Sequence, residues 1–332
     1  MEPKMSPAAP MLKKGYTTGV HALIAFQRAL EGLMATQATT TCITHKMEND
    51  DLDVTKGCEI VVCITFNKEE LVCNSVAHRP YEIGELHLFA GEGVGVVTKA
   101  GLKPPLGYPA INPVPLEAIT SAYEKVAPLG KPCYATIGVT NGEQLAKQTA
   151  NAKVGVVGGI SILGTTGWVK PVSSSAYLDS IEVELKVAKS NGYTHVALTL
   201  GNSSLAWAKE HFEAVQIIEI GNFVYDALAL AKTSGIKKVT FVCGIGKAVK
   251  VMQGHKNTHN RFGQIDFASL RKEIAIHLGV TVDTASSKTV KGIVEQLDAP
   301  LREALYGYVA QEAQQQIQGW FPALAVEIVI VR

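Results

Sequence analysis

The second half of this 332-residue chain alternates short apolar runs with helix-period segments, an order that few folds accept. Val154–Val157 reads as a strand, and residues 176–190 read as a helix ended by Asn191-Gly192. Strand His195–Leu200, helix Leu205–His211, strand Val215–Ile220, helix Phe223–Thr233 and strand Lys238–Val242 follow, and Ala323–Val331 closes as a further strand. Strands separated by helices pair in parallel, which predicts a doubly wound sheet. Such sheets collect ligands at the carboxyl ends of their strands. Four expected strand ends carry glycine: Gly158-Gly159, Gly201-Asn202, Gly221-Asn222 and Gly244-Ile245-Gly246-Lys247. None matches a dinucleotide fingerprint, and the last is too short for a P-loop. A nucleotide-using enzyme built on Gly244–Lys247 is a rival reading that nucleoside triphosphate binding would decide.

The first of these ends opens a glycine-rich stretch, Val154–Pro171. Gly158, Gly159, Ser161, Gly164, Thr165 and Thr166 offer main-chain amides and hydroxyls to an anion, and Lys170 adds positive charge. The same glycines also suit a long loop that only satisfies turn geometry.

The first half mixes element types. A helix over His21–Met34 presents Leu23, Phe26, Leu30 and Leu33 on one face. Thr39–Thr44 reads as a strand, and Glu59–Phe66 with Leu71–Val76 reads as a hairpin around Asn67–Glu70. Strand Leu86–Ala90, helix Leu116–Val126, strand Tyr134–Val139 and a short helix Glu143–Thr149 complete it. Thr17 and Thr18 stand ahead of the first helix, as a cap or as an anion-binding point. The cluster Glu48-Asn49-Asp50-Asp51-Leu52-Asp53 is a solvated turn or the source of a carboxylate base, with Asp50 and Asp51 as candidates. Its spacing matches no calcium loop. A proline-stiffened loop over residues 91–115 carries Glu92, Lys99, Lys103 and Asn112, and long ordered loops are usually functional. Downstream, His255, Asn257, Thr258, His259, Asn260 and Arg261 form a polar knot. Two histidines four apart suit a metal only on a helix, and the glycine and asparagine here favour a loop, so no metal is assigned.

The chain is long enough for two cores, and the expected division is a disordered tail over 1–12, one domain over 13–150 and another over 151–332. A formal net charge of +1 argues against nucleic-acid or membrane-surface binding. No apolar run approaches the roughly 18 residues of a membrane span. The opening MEPKMSPAAP lacks the apolar centre of a signal peptide. Six scattered cysteines without a C-x-x-C pair fit reduced thiols in a cytoplasm. Homo-oligomerisation is left open.

Several runs are shared with a known family. These are GYTTG at Gly15–Gly19, GEGVG with the following Val97, Lys99 and Leu102, and PAINPVP at Pro109–Pro115. Further carriers are GGISILGTTG through Ser173, Gly201-Asn202, Gly246-Lys247 and Asn257–His259. On these the chain resembles the cobalt-precorrin-5B C1-methyltransferases of anaerobic cobalamin biosynthesis. The resemblance implies an N-terminal two-layer α+β sandwich followed by a Rossmann-like domain with a mainly parallel sheet. It also implies S-adenosylmethionine as co-substrate, a tetrapyrrole acceptor whose cobalt belongs to the substrate, and cobalt-precorrin-6A as product. The donor is then expected at Gly158, Gly159, Ser161, Gly164, Thr165, Thr166, Asn202 and Asn222. The acceptor, which bears several carboxylates, is expected at Thr17, Thr18, Glu92, Lys99, Asn112, Lys170, Lys247, Asn257 and Thr258. His259, Asp50 and Asp51 are the candidate bases. The chain departs from the family at Val20-His21, where threonine and cysteine are usual, and at Met47–Leu52, where an aspartate and a glycine are gone. It departs again at Cys243-Gly244 and at Asn260. His21 and Glu48 are the possible substitutes, and a divergent tetrapyrrole-binding protein with lost or altered transfer is the alternative reading.

Overall fold

The computed structural model describes residues 15–47, 54–126, 130–164, 167–169, 174–283 and 289–332. The chain divides into two units after Ser174. Asp50, Asp51, Thr165, Thr166 and Lys170 lie outside the described residues, as does Glu48.

In the first unit, β1 (Gly15–Tyr16) leads into α1 (Thr18–Thr36), then β2 (Thr40–His45) and β3 (Glu59–Thr65). β4 (Tyr81–Ile83), β5 (Leu86–Ala90), β6 (Gly93–Val94) and β7 (Val96–Val97) precede α2 (Pro113–Glu124), β8 (Cys133–Val139) and α3 (Gly142–Ala146). β9 (Val156–Val157), β10 (Gly159–Ile160) and β11 (Trp168–Val169) end it. The main sheet has the order β2-β3-β8-β5-β4 and is antiparallel except between β5 and β8. Period-2 alternation buries Ile60, Val62 and Ile64 of β3 and Ala135 and Ile137 of β8 on one face. Those residues share a core with Ala22, Phe26, Ala29, Leu30 and Leu33, the helix-period stripe of α1.

Two expectations fail here. Residues 71–80 form no strand, so the hairpin over Leu71–Val76 is absent. β3 already has β2 and β8 on its two sides and leaves no edge for it. Asn67 instead caps a single tight turn, its Oδ1 accepting from Glu69 N at 3.2 Å. Second, Val156–Val157 pairs antiparallel with β7 and belongs to the first unit, not to the parallel sheet. The domain boundary expected at 150/151 accordingly falls after Ser174. Strand character is legible locally, but a strand's partner is not.

The second unit holds the alternation. α4 (Ser174–Ser190) leads into β12 (His195–Leu200), α5 (Asn202–His211), β13 (Ile217–Glu219), α6 (Val224–Thr233), β14 (Lys238–Gly244) and α7 (Ile245–Met252). α8 (Phe267–Leu278), α9 (Val290–Val294) and α10 (Ala299–Trp320) precede β15 (Ala325–Val331). The sheet is parallel throughout, in the order β13-β12-β14-β15. The chain leaves β12 toward β13 and returns to β14 on the other side. The direction of winding therefore reverses between β12 and β14, where a doubly wound sheet opens a crevice at its carboxyl edge. Among the described residues, no helix is long and apolar enough to cross a membrane.

Candidate functional site

The glycine-rich stretch of the first unit is packed against its own chain. β10 lies parallel to β6 with Gly159 opposite Gly93. A Cβ at Gly159 would come within 2.1 Å of Gly93 O, and one at Gly158 within 2.7 Å of the Asn74 amide. Asn74 is buried; its Nδ2 donates to Val94 O at 2.9 Å and Gly158 O at 2.7 Å, while its Oδ1 accepts from Val76 N at 2.8 Å. These glycines let two backbones approach each other, which is the turn-geometry reading of the loop. Nothing in the sequence marks Asn74, which sits inside a run that reads as a strand.

Of the other first-unit candidates, Ser161 and Thr18 are similarly engaged. Ser161 Oγ donates to Asn151 Oδ1 at 2.8 Å. Gly164 lies against Thr17, whose Oγ1 has no partner among the described residues. Thr17 occupies the cap position of α1 without a side-chain capping bond. Thr18 Oγ1 accepts from Leu163 N at 2.8 Å and donates to Leu163 O at 3.2 Å, fastening the helix start to the loop. Asn112 precedes α2, and its backbone N donates to Ile162 O at 3.0 Å. Lys99 Nζ reaches Lys153 O at 3.4 Å. Glu92 is exposed and lines a groove of about 810 Å³ with Asn74, Glu70 and Glu143, an acidic rim that disfavours a polycarboxylate.

His21 is also a structural residue. It is buried, and its Nε2 accepts from Met47 N at 3.3 Å. Burial, with the Lys46 charge, holds its pKa below the ordinary histidine value, so the neutral ring carries its proton on Nδ1.

The second unit differs. At the carboxyl ends of β12 and β14, a Cβ built on Gly201, Gly244 or Gly246 would meet nothing within 4 Å, so this backbone is open. Asn202 is exposed at the first position of α5. Asn222, after β13, joins Lys247 and Thr258 in one cluster. Lys247 Nζ donates to Asn222 Oδ1 at 2.9 Å and to Thr258 O at 3.0 Å. Thr258 is fully buried; its Oγ1 donates to Asn222 Oδ1 and its N donates to Asn222 O, both at 3.0 Å. Lys250, one turn past Lys247, is buried and donates to Thr258 O at 3.1 Å, Asn260 Oδ1 at 2.8 Å and Gly263 O at 2.9 Å. Lys250 was missed from sequence, although a lysine three residues from Lys247 inside the apolar run Ala248–Met252 was the available signal.

His259 is exposed, and its Nδ1 accepts from Arg261 N at 3.2 Å. A neutral ring so held carries its proton on Nε2 and offers the solvent side a donor rather than a base. Asn257 Oδ1 accepts from His259 N at 3.0 Å and shapes the turn. The polar knot is thus a loop, as its composition suggested, and its backbone is anchored on α7. Among the described residues no three His, Cys, Asp or Glu side chains gather in a metal-binding group.

The expected donor positions therefore divide between the units. Gly158, Gly159, Ser161 and Gly164 belong to the first, and Asn202 and Asn222 to the second. Asn222, Lys247 and Thr258 are brought together by direct hydrogen bonds.

The family model CbiD matches residues 33–171. The cobalt-precorrin-5B C(1)-methyltransferase of Thermus thermophilus is 36% identical over 281 residues, covering 83% of this chain and 72% of the relative. The enzyme of that name from a Geobacillus species is 35% identical over 325 residues, 88% of this chain and 85% of the relative. The one from Geobacter sulfurreducens is 33% identical over 314 residues, 91% and 83% respectively. A crystal structure of a cobalamin biosynthesis protein (cbiD) from Archaeoglobus fulgidus is 24% identical over 81% of this chain and 85% of that one, with a TM-score of 0.34.

Proposed function

Since this chain belongs to the CbiD family, we propose that it methylates C1 of cobalt-precorrin-5B, giving cobalt-precorrin-6A in anaerobic cobalamin biosynthesis. It is a C-methyltransferase, and the observation that carries this is 36% identity to a relative so named across 83% of the chain. The first unit is then the α+β sandwich and the second the Rossmann-like domain.

S-adenosylmethionine supplies the methyl group as a sulfonium, already activated for displacement, so the protein contributes position more than acid–base chemistry. The carboxyl edge of the second unit fits this co-substrate better than the loop over 158–164. Its open backbone at Gly201, Gly244 and Gly246 admits a ligand, whereas Gly158 and Gly159 are filled by neighbouring chain. The exposure of Asn202 at the start of α5 supports hydrogen bonding to nucleoside hydroxyls, and the charge of Lys247 supports contact with a carboxylate. His259, on the loop over 255–263, supplies a donor at Nε2. The groove beside Glu92 carries the wrong sign of charge for the acceptor's acids.

Anaerobic incubation with cobalt-precorrin-5B and S-adenosylmethionine tests the proposal. Gain of one methyl group by the tetrapyrrole, with matching S-adenosylhomocysteine, is expected. The departures at His21 and Met47 favour one alternative, a tetrapyrrole-binding relative without transfer. Tetrapyrrole binding without turnover would establish that alternative.

A further inference from the structure

Lys247 and Lys250 place two ammonium groups on one face of α7, and both donate to the same carbonyl, Thr258 O. Lys250 is satisfied in number, with three protons on three acceptors, but every acceptor is neutral. Lys247 has two acceptors and one proton left over. Among the described residues no carboxylate stands within 4 Å of either nitrogen, whereas Lys186 and Lys238 are paired with Glu182 and Glu327. Burial lowers the pKa of both, and the Lys250 charge lowers that of Lys247 further. Buried charge is ordinarily compensated. An uncompensated pair with a spare N–H is the complement of an anion.

Asn222 gives that anion a shape. Because an ammonium only donates, the amide must turn its oxygen toward Lys247 and Thr258. Its NH2 group then has no acceptor among the described residues. Two donors, on Lys247 Nζ and Asn222 Nδ2, are thereby left beside one hydrogen bond of 2.9 Å. Two adjacent donors suit the two oxygens of a carboxylate.

We propose that Lys247 and Asn222 form a carboxylate-binding subsite, and that Lys250 is the positioning residue that holds the loop over 255–263 and, through Thr258, aims them. This deepens the methyltransferase reading and rests on it for the two sources of carboxylate, the amino-acid end of the methyl donor and the acids of the tetrapyrrole.

Titration calorimetry on the full chain separates these sources. S-adenosylhomocysteine carries the carboxylate; methylthioadenosine keeps the nucleoside and thioether without it. If the donor is the source, Lys247→Met weakens S-adenosylhomocysteine by about tenfold or more, the loss of one hydrogen bond to a charged group, and leaves methylthioadenosine unchanged. If the tetrapyrrole is the source, both nucleosides bind as before and only its KM rises. Equal weakening of both nucleosides, or no change in any of the three, overturns the subsite. Lys250→Met should reproduce the effect of Lys247→Met in whichever arm holds, a lowered ratio of the two nucleoside affinities or a raised tetrapyrrole KM, and Lys250→Arg should reverse it. Asn260→Ala, at an exposed position, removes one Lys250 acceptor and makes the same test if Lys250→Met does not fold. Loss of both ligands alike would reduce Lys250 to a structural role. Should wild type bind neither nucleoside nor tetrapyrrole, the methyltransferase reading fails. The subsite is then judged by citrate alone, which must raise the Tm of wild type but not of Lys247→Met, and failure to do so overturns it.

Discussion

Histidine 259 shows how one hydrogen bond decides a role. With Nδ1 accepting from the Arg261 backbone, the neutral ring is assigned its proton on Nε2, which argues against a base at that nitrogen. A general base contributes typically 10²–10⁴-fold, so His259→Gln should lose less than about tenfold in kcat under anaerobic turnover. A hundredfold loss would restore the base. His21 makes a pH prediction. Its folded pKa lies below the ordinary value, so the unfolded chain binds the proton first as pH falls. Its contribution is fully present above about pH 6.5 and is lost as pH falls from there toward the folded pKa. Chemical denaturation between pH 7.5 and about 5 should show that decline, and His21→Gln should reduce it. His195, shifted in the same direction by burial and by Lys238, accounts for part of what remains.

At the scale of elements, the contrast lies between two glycine-bearing turns. At β10 the glycine is filled by β6; at the start of α7 it is open. Gly159→Ala drives a Cβ into Gly93 O, an overpacking that costs about 1–3 kcal/mol or more and is read as a lowered Tm. S-adenosylhomocysteine affinity of the folded fraction should be unchanged, which separates packing from ligand contact. Both turns look alike in sequence: glycine after a largely apolar run rich in valine. They differ only in what lies across from them, a contact between residues far apart in the chain. The buried Asn74 is illegible for the same reason, because its acceptors at Val94 and Gly158 come from two distant segments. The parallel order of β12, β13 and β14 was legible because helices of the right length separate strands of the right composition.

Across the whole molecule, a buried aromatic side chain marks the core of each unit taken by itself. Phe26, at 0% exposure, fills the space between α1 and the first sheet. Phe26→Ala should cost about 3–5 kcal/mol, read as lost amide protection on β3 and β8. Phe241, on β14, is as fully buried in the second unit. The amino-acid sequence by itself determined most of the long helices and strands, Leu71–Val76 excepted, the parallel pairing of the strands from His195 onward, and which family motifs the chain carries. Those follow from periodicity and local composition, which act over a few neighbouring residues. Tertiary structure alone decided that Val156–Val157 serves the first unit, that the loop glycines seat backbone on backbone, and that Lys247 and Lys250 share the Thr258 carbonyl. Each of these depends on which distant group fills a given space, and no local pattern of side chains encodes that.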